Sequence, residues 1–345
     1  MSNLGSGRPL IVPIFLPFQG CPYRCVYCDQ EKITSQKADP IHPPAVARIL
    51  DQALRSARFD PAEKHEVAFY GGTFTRLTRE GMEELLGAVA PYLKEGGFDS
   101  IRLSTRPDGV DRETLLLLKR RGVKTVELGA QSMDDEVLKQ SQRGHCAADT
   151  VRSVRLLREQ GLKVGIQLMP GLPGDSKEGF LAALDRAIAL GPDMVRLYPT
   201  VVIQGTELDR LYRRGEYEPW GLEQALEVCS ESVFRLEGHG IPVIRIGLMT
   251  SPSLTEPGQI VAGPWHEAFG HMVRSSVYHR RIEFLLPRWG ERGSVSLRVH
   301  PKEVPLMRGF KNKGIRYVEA RTGAAVQRVI PDDSLLPGRI EVEWP

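Results

Sequence analysis

Three cysteines lie within eight residues near the N-terminus, in the run GCPYRCVYC at residues 20–28. The spacing places the thiols of Cys21, Cys25 and Cys28 on one tight loop, directly after an apolar strand. Thiolates are soft ligands that suit iron-sulfur clusters, and three of them can hold three irons of a four-iron cube. The fourth iron is then open to another ligand, so the pattern predicts an iron-sulfur site with one exchangeable position.

Three other interpretations of the cysteines compete with this one. A zinc site needs a second Cys/His pair at short spacing, and Cys146 and Cys229 are isolated. A thioredoxin-like pair, Cys25-x-x-Cys28, has no need of Cys21. Three buried structural cysteines are the last alternative, but such residues rarely cluster after turns of this kind.

Polar or glycine residues also follow the later predicted strands, where a ligand could be bound. After the second strand, Gly71 and Gly72 precede Thr73, and paired glycines let a backbone approach a ligand closely, although a plain turn is an alternative. After the third strand, Ser104 precedes Arg106, whose guanidinium can form bidentate bonds to a carboxylate or can simply lie at the surface.

The fourth and fifth strands end in further candidates. Gln131 follows the fourth strand in the run GAQS, and Arg143 lies one helix later in the run QRGH. Both are candidates for ligand binding, and a structural role is the alternative for each. We interpret His145 as a capping or surface residue, with a catalytic role as the alternative. Gln167 precedes the turn MPGLPG at residues 169–174, which is in any case a strand-to-helix loop. Tyr198, after the sixth strand, lines the substrate side or closes it.

Taken together, these motifs resemble the radical S-adenosylmethionine superfamily, whose signature is this cysteine spacing with an aromatic residue, here Tyr27, before the last cysteine. The runs GGT, STRPD, GAQS, QRGH and MPGLPG are similar to those of the Elongator catalytic subunit or of oxygen-independent coproporphyrinogen oxidase. The resemblance covers residues 11–312.

The resemblance implies a [4Fe-4S] cluster on the three cysteines and S-adenosyl-L-methionine as cofactor. It assigns no catalytic residue. The implied cofactor contacts are Tyr27, Gly71, Gly72, Thr73, Ser104, Arg106, Gln131, Arg143 and Gln167.

The chain departs from the pattern at several positions. Thr73 stands where the superfamily usually has glutamate, and Ser104 and Gln167 stand where the coproporphyrinogen enzyme has glutamate and aspartate. The acetyltransferase domain and the longer N-terminal region of the Elongator subunit are expected to be missing.

The elements that must position these residues alternate between short apolar strands and amphipathic helices. A repeated strand-helix unit makes a parallel sheet with helices outside, so the sequence predicts an α/β fold, a partial (β/α)6-type TIM barrel, with a small C-terminal α+β unit. We expect a disordered start at 1–8, the barrel at 9–250 and the C-terminal unit at 251–345. The predicted strands are 10–15, 66–70, 100–104, 124–128, 162–169, 194–198 and 242–246, then 295–299, 315–319, 327–330 and 339–343, with a helix at 265–278.

Composition fits a globular protein, with 345 residues of which 41% are hydrophobic and 26% charged. The apolar stretch 10–18 is short and broken by Pro13 and Pro17, so it is neither a signal peptide nor a membrane span. Five cysteines, three of them clustered, argue against a secreted disulfide framework. We therefore expect a cytoplasmic protein without a membrane partner.

Charge is uneven along the chain. Residues 270–345 carry fourteen Lys/Arg against eight Asp/Glu, or +6, which leaves −3 of the total +3 for residues 1–269. Basic residues flank Phe310 in the run RGFKNK at 308–313, a combination that suits phosphate binding and base stacking, whereas a solvated basic face is the alternative. The runs GPWHEAFG and HPK, at 263–270 and 300–302, also resemble the region after the radical domain of Elongator-type proteins.

The leading hypothesis is a radical enzyme that acts on RNA, specifically tRNA, with an external electron donor such as flavodoxin or ferredoxin. One alternative is a radical enzyme for a small anionic metabolite such as a tetrapyrrole. The other is an iron-sulfur protein that only carries electrons or senses oxygen.

Overall fold

The computed structural model describes residues 10–285 and 293–344, so the disordered start predicted for residues 1–8 lies outside it. By packing, these residues form two compact units. The barrel unit comprises residues up to 220 together with 239–264, and the second unit comprises 221–238 and 265 onwards. The domain division predicted at residue 250 stays a prediction. No described helix has the length and apolar character needed to cross a membrane.

The barrel unit is built on a parallel sheet of seven strands. Their order in the sheet follows the chain, with the first and last strands at the two edges. The strands are β1 (Ile11–Leu16), β2 (Glu66–Gly71), β3 (Ser100–Thr105), β4 (Val123–Gln131), β5 (Lys163–Leu168), β6 (Met194–Leu197) and β8 (Val243–Ile246). A small antiparallel pair, β7 (Val202–Ile203) and β9 (Ile260–Ala262), accompanies them.

Helices connect the strands, as the alternating pattern predicts. They begin where the sequence offers caps; Thr78, for example, accepts a hydrogen bond from the Gly81 amide at the start of one helix. The helices of the barrel unit are α1 (Gln30–Thr34), α2 (Pro43–Leu54), α3 (Arg79–Lys94), α4 (Arg112–Arg120), α5 (Asp135–Gln140), α6 (Ala147–Glu159), α7 (Lys177–Ala189), α8 (Glu207–Arg213) and α10 (Pro252–Thr255).

The two faces of the sheet differ. In β1, Val12, Ile14 and Leu16 are buried, whereas the alternate residues are partly or fully exposed. Since side chains alternate across a strand, one face packs in the core and the other lines an open interior. Residues of both edge strands line the same cavity, so the sheet curls into a half-barrel. The predicted partial barrel is confirmed.

The second unit is a small α+β fold. Its sheet has the order β11-β10-β12, with β10 parallel to β11 and antiparallel to β12. A core of apolar residues, including Val295, Leu297 and Met307, joins the sheet to the helices. The elements are α9 (Leu222–Gly238), α11 (Phe269–Leu285), β10 (Ser294–Val299), α12 (Val304–Arg308), α13 (Lys313–Thr322), β11 (Ala325–Pro331) and β12 (Ile340–Glu343).

One predicted strand of this unit is wrong. Residues 315–319 lie inside α13, where Gly314, Val318 and Thr322 are buried at intervals of four residues. That spacing is helical, and it outweighs the strand preference of the β-branched residues in the segment.

Candidate active site

A cavity of about 620 Å³ occupies the interior of the half-barrel. The loops that follow the strands line the cavity at the carboxyl ends of the strands, and side chains of the strands themselves line the rest. The structure brings all twelve residues predicted for the site to this one cavity: Cys21, Cys25, Cys28, Tyr27, Gly71, Gly72, Thr73, Ser104, Arg106, Gln131, Arg143 and Gln167. Their individual roles remain predictions.

The cysteine loop is held by Gln30, a residue that the sequence analysis did not single out. Its side-chain oxygen accepts a hydrogen bond of 2.5 Å from the Phe18 amide, and its Nε2 lies 3.9 Å from Cys21 Sγ and 3.7 Å from Cys28 Sγ. One amide group therefore ties the start of the loop to two of its three thiols. Its position two residues after Cys28 was the only available signal.

The paired glycines after β2 serve the packing of this loop. A Cβ atom on Gly72 would lie 2.0 Å from the Gln19 carbonyl oxygen and 2.7 Å from that of Leu16. The Gly72 and Thr73 amides donate to these same carbonyls, at 2.9 and 2.8 Å. Glycine is therefore required at position 72 for packing, because the absence of a Cβ lets the backbone leading into the cysteine loop lie against the end of β2. The sequence pattern had indicated only a ligand contact or a plain turn.

None of the three cysteines forms a disulfide bond. Burial raises the pKa of Cys28 to about 12, the neighbouring Cys25 adds to the rise, and the Gln30 hydrogen bond opposes it. Metal binding at such thiols requires their deprotonation and releases protons. Within the described residues, no three His, Cys, Asp or Glu side chains gather around a single metal ion. A four-iron cube asks for a different arrangement, since each thiolate bonds a different iron.

Arg143 reaches the cysteine loop from the segment after α5. Its NH1 group donates to Cys25 Sγ at 2.9 Å and its NH2 group to the Gly129 carbonyl at 2.5 Å. Its Nε–H is buried without a hydrogen-bond partner among the described groups. A buried guanidinium with one unused donor has the chemistry to bind a polar ligand in the cavity.

Gln131 and Gln167, on the neighbouring strands β4 and β5, are joined by a side-chain hydrogen bond. Gln167 Nε2 donates to Gln131 Oε1 at 3.0 Å, and the Gln131 carbonyl accepts from the Met169 amide at 2.8 Å. Gln131 adopts a φ of 70°, in the left-handed region, where the register between β4 and β5 shifts. This unusual conformation turns its side chain along the cavity wall instead of continuing the strand.

Arg106 is more constrained than the sequence suggests. Its Nε donates to Asp108 Oδ1 at 2.9 Å, and its NH2 group donates to Asp108 Oδ2 and to the Arg143 carbonyl. The NH1 group is left for the carboxylate contact that the resemblance implies. His145 is not a helix cap, because Cys146 is the N-cap residue of α6. Burial, and then the Arg143 charge, lower the pKa of His145 to about 4.

A network of charged side chains crosses the interior, and the sequence analysis missed it. Glu127 lies between two arginines: its Oε1 accepts from Arg102 NH1 at 3.0 Å, and its Oε2 lies 2.5 Å from Arg196 Nε. Tyr70 donates to the same carboxylate at 3.0 Å, and Arg102 also pairs with Glu66. The sequence contained one signal for this network: charged residues occur within short apolar strands, as in SIRLS and MVRLY.

Tyr198 lines the cavity, as one of its two predicted interpretations has it. Arg196 NH1 donates to the Tyr198 hydroxyl oxygen at 3.0 Å, which leaves the hydroxyl hydrogen available as a donor. The charged network therefore extends to the loop after β6.

In the second unit, two groups of cations that lie near each other in sequence differ in their pairing. Arg274, Arg280 and Arg281 on α11 form ion pairs with Glu231 and Glu237 of α9. Their positive charge is therefore largely compensated by these carboxylates.

The segment around Phe310 has a different environment. Its cations are exposed, and no carboxylate of the described residues lies within ion-pair distance of them; they are Arg308, Lys311, Lys313 and Arg316. Phe310 is 38% exposed, with the Lys311 ammonium 5.4 Å from its ring centre. We call these five residues the basic segment.

Two family models match the chain. The model described as the radical SAM superfamily matches residues 15–187, and the model described as the radical SAM C-terminal domain matches residues 192–279. The first match covers half of the chain.

Individual relatives differ in function. The chain is 34% identical over 191 residues to a tRNA uridine(34) acetyltransferase of Methanocaldococcus infernus, a match that covers 49% of this chain and 36% of that protein. It is 27% identical over 234 residues to the heme chaperone HemW of Bacillus subtilis, covering 66% of this chain and 60% of the relative.

A solved structure is also similar. It is the archaeal Elp3 of Methanocaldococcus infernus with an N-terminal deletion, with a TM-score of 0.59 and 26% identity, covering 79% of this chain and 63% of the other. The chain thus spans only about a third of the first curated relative and less than two thirds of this structure.

Proposed function

Because this chain belongs to the radical SAM superfamily and is one of its enzymes, we propose that Cys21, Cys25 and Cys28 hold a [4Fe-4S] cluster and that the cavity binds S-adenosylmethionine. The observation that carries the proposal is the convergence of all twelve predicted site residues on one cavity. When bound, the cluster supplies the electron that cleaves the cofactor reductively to methionine and a 5'-deoxyadenosyl radical.

The residues of the chain orient and shield this chemistry. Gln30 and Gly72 fix the cysteine loop, and Arg143 offers its unused Nε–H together with a hydrogen bond to Cys25. The Gln131–Gln167 pair supplies further amide groups to the cavity. Placing the reaction inside the half-barrel limits the access of water to a reactive intermediate.

Anaerobic reconstitution tests the cluster. We expect about four irons per chain, with the signal lost when the three loop cysteines are replaced by alanine. Cys146→Ala is the matched control, since it removes a half-buried free thiol elsewhere in the barrel unit. Equal iron loss in the control, or zinc in place of iron after anaerobic purification, would overturn the assignment.

Cofactor cleavage is tested on the cluster-loaded protein. Adding S-adenosylmethionine should change the electron paramagnetic resonance spectrum of the reduced cluster, and dithionite should then yield 5'-deoxyadenosine and methionine. A physiological reaction needs an external donor such as flavodoxin or ferredoxin, and either protein should replace dithionite. An unchanged spectrum without cleavage, in fully loaded protein, favours the electron-carrier alternative.

We propose RNA, specifically tRNA, as the substrate class. The basic segment supports this, because its cations are exposed, have no carboxylate partner among the residues that the structure describes, and lie beside an exposed aromatic ring, so they can bind phosphates while the ring stacks a base. The tRNA-modifying relative supports it as well, although the chain spans only 36% of that protein.

Charge reversal tests the RNA proposal. We expect R308E/K311E/K313E to weaken tRNA binding while cluster content is retained, and the wild-type affinity to fall steeply with salt, with a log-log slope of about −0.7 per phosphate contact on single strands. The matched control is R48E/K64E/K119E, three exposed cations of the barrel unit. Equal weakening in both triple variants would reduce the effect to net charge and contradict the proposal.

A small anionic metabolite remains the second candidate. Six arginines line the cavity against the single carboxylate of Glu127 among the described residues, and one relative is a heme chaperone. If tRNA neither binds at low salt nor stimulates 5'-deoxyadenosine formation, while a tetrapyrrole does stimulate it, this candidate replaces RNA.

A further inference from the structure

The six cavity arginines differ in how their charge is compensated. Four of them have close partners within the barrel unit: Arg102 and Arg196 pair with Glu127, Arg106 pairs with Asp108, and Arg143 contacts Cys25. Arg24 is exposed and stacks on the Phe18 ring, 3.6 Å from its centre. The sixth arginine, Arg245, has neither kind of compensation.

Arg245 lies on the edge strand β8 and is half-buried. Its only hydrogen bond among the described residues runs from Nε to the Gly247 carbonyl at 3.3 Å, and no described carboxylate lies within ion-pair distance. Its NH1 and NH2 groups are therefore free to bind a ligand that enters the cavity.

The register of the sheet sharpens this observation. Arg245 pairs with Arg196 of β6, so two guanidinium groups stand on neighbouring strands. Glu127 already compensates Arg196, but no carboxylate of the described part of the barrel unit does so for Arg245. A partly desolvated cation beside another cation is unfavourable unless an anion joins it, and guanidinium binds phosphate oxygens in bidentate fashion.

Exposed apolar side chains line the same cavity as Arg245. Ile244 and Met249 are 42% and 41% exposed, and Ile11 of the opposite edge strand is 37% exposed; all three line the same cavity. An uncompensated cation within an exposed apolar rim suits a ligand that combines an anionic group with a flat apolar body. A nucleotide has both parts.

We propose that Arg245 is a substrate-binding residue that takes a phosphate group of the substrate, while the apolar rim receives an adjacent base. This inference rests on the proposed function, since it assigns a place in the same cavity to the RNA. It adds a contact that depends on the barrel unit alone and not on the basic segment.

Arginine-specific labelling tests the contact directly. The reconstituted full chain is treated with phenylglyoxal, and mass spectrometry follows the labelling rate of Arg245 and of Arg48, an exposed arginine on α2 that serves as the internal control. At inorganic phosphate tenfold above its dissociation constant, the Arg245 rate should fall about tenfold, because about one site in ten is then free. The Arg48 rate should not change.

Three outcomes would overturn the inference. They are equal labelling of Arg245 with and without phosphate, no labelling of Arg245 even in the absence of anions, and protection by citrate but not by phosphate. The last result would assign the site to carboxylates. Protection by phosphate with no protection by tRNA would leave the Arg245 site standing and count against the RNA function, so the two failures are distinguishable.

A kinetic split completes the test. In RNA-stimulated formation of 5'-deoxyadenosine, Arg245→Gln should raise the KM for RNA by about tenfold or more, as expected for loss of a hydrogen-bonded charge, with a smaller effect on kcat. Arg245→Lys should recover part of the loss because it keeps the charge. A fall in kcat alone, with KM unchanged in both variants, would contradict a substrate-binding role.

Discussion

Replacing Glu127 by glutamine should destabilise the barrel unit more than any exposed Glu→Gln change. The carboxylate is 4% exposed and accepts hydrogen bonds from Arg102, Arg196 and Tyr70 at 3.0 to 3.1 Å. The amide is nearly the same size but removes the charge that compensates two buried guanidinium groups. Breaking a buried ion pair on one side typically costs 3–5 kcal/mol.

The structure places the expected cost at the lower end of that range. Arg102 keeps its second carboxylate partner, Glu66, and glutamine still offers one acceptor oxygen. We therefore expect a loss of about 3 kcal/mol in the free energy of unfolding. This corresponds to a fall in Tm of roughly 6–12 °C for a unit of this size.

The assay is thermal and denaturant-induced unfolding of the full chain, with Glu113→Gln as the matched control. Glu113 also pairs with an arginine, but its side chain is 78% exposed, so its pair should contribute only about 0–1 kcal/mol. Adding Arg196→Met to Glu127→Gln should recover part of the loss by removing the uncompensated cation. If the free energies of unfolding of Glu127→Gln and Glu113→Gln differ by less than about 0.5 kcal/mol, the argument that Glu127 compensates buried charge is refuted.

Three further predictions concern other parts of the molecule. Gly72→Ala should lower reconstituted iron severalfold, since its Cβ would strike the carbonyl at the end of β1 and the Gln19 carbonyl that leads into the cysteine loop, whereas Gly87→Ala, which meets no atom within 4 Å, should leave the iron content unchanged. Burial raises the pKa of Asp175 to about 7, so its contribution to stability is present at acid pH and is lost as pH rises from about 4 to 7; Asp175→Asn should flatten this part of a Tm-against-pH profile, and an unaltered slope would contradict it. Phe310→Ala should weaken tRNA binding about tenfold through lost stacking, with the exposed Leu336→Ala as a control that leaves the affinity unchanged; equal affinities of the two variants would exclude stacking.

The sequence predicted the barrel strands well because their apolar runs are short, separate and bounded by turn residues. Each of the seven overlaps its predicted range, although β4 extends three residues further, to Gln131. That extension includes a register shift and a residue with positive φ, features that depend on the pairing of β4 with β5 and not on local propensity. The strand wrongly predicted at residues 315–319 has a similar origin, since tertiary packing buries every fourth residue of this segment and so stabilises a helix.

The candidate site was predictable to the extent that its residues stand in motifs. What the sequence did not reveal are the contacts between motifs: Gln30 holding two thiols, Glu127 between two arginines, and the lack of a carboxylate at Arg245. Pairing of charges across strands depends on register and curvature, and these are set by the whole sheet.

The left-handed conformation of Gln131 has a consequence for attempts to make this protein more robust. A non-glycine residue held at φ 70° stores strain of the order of 1 kcal/mol, which glycine would relieve. A screen for thermal tolerance would therefore favour Gln131→Gly. Glycine would remove the amide that pairs with Gln167, so a gain in robustness at this position would erode the cavity wall. The backbone strain at Gln131 thus reflects a trade-off between thermal stability and the shape of the cavity wall.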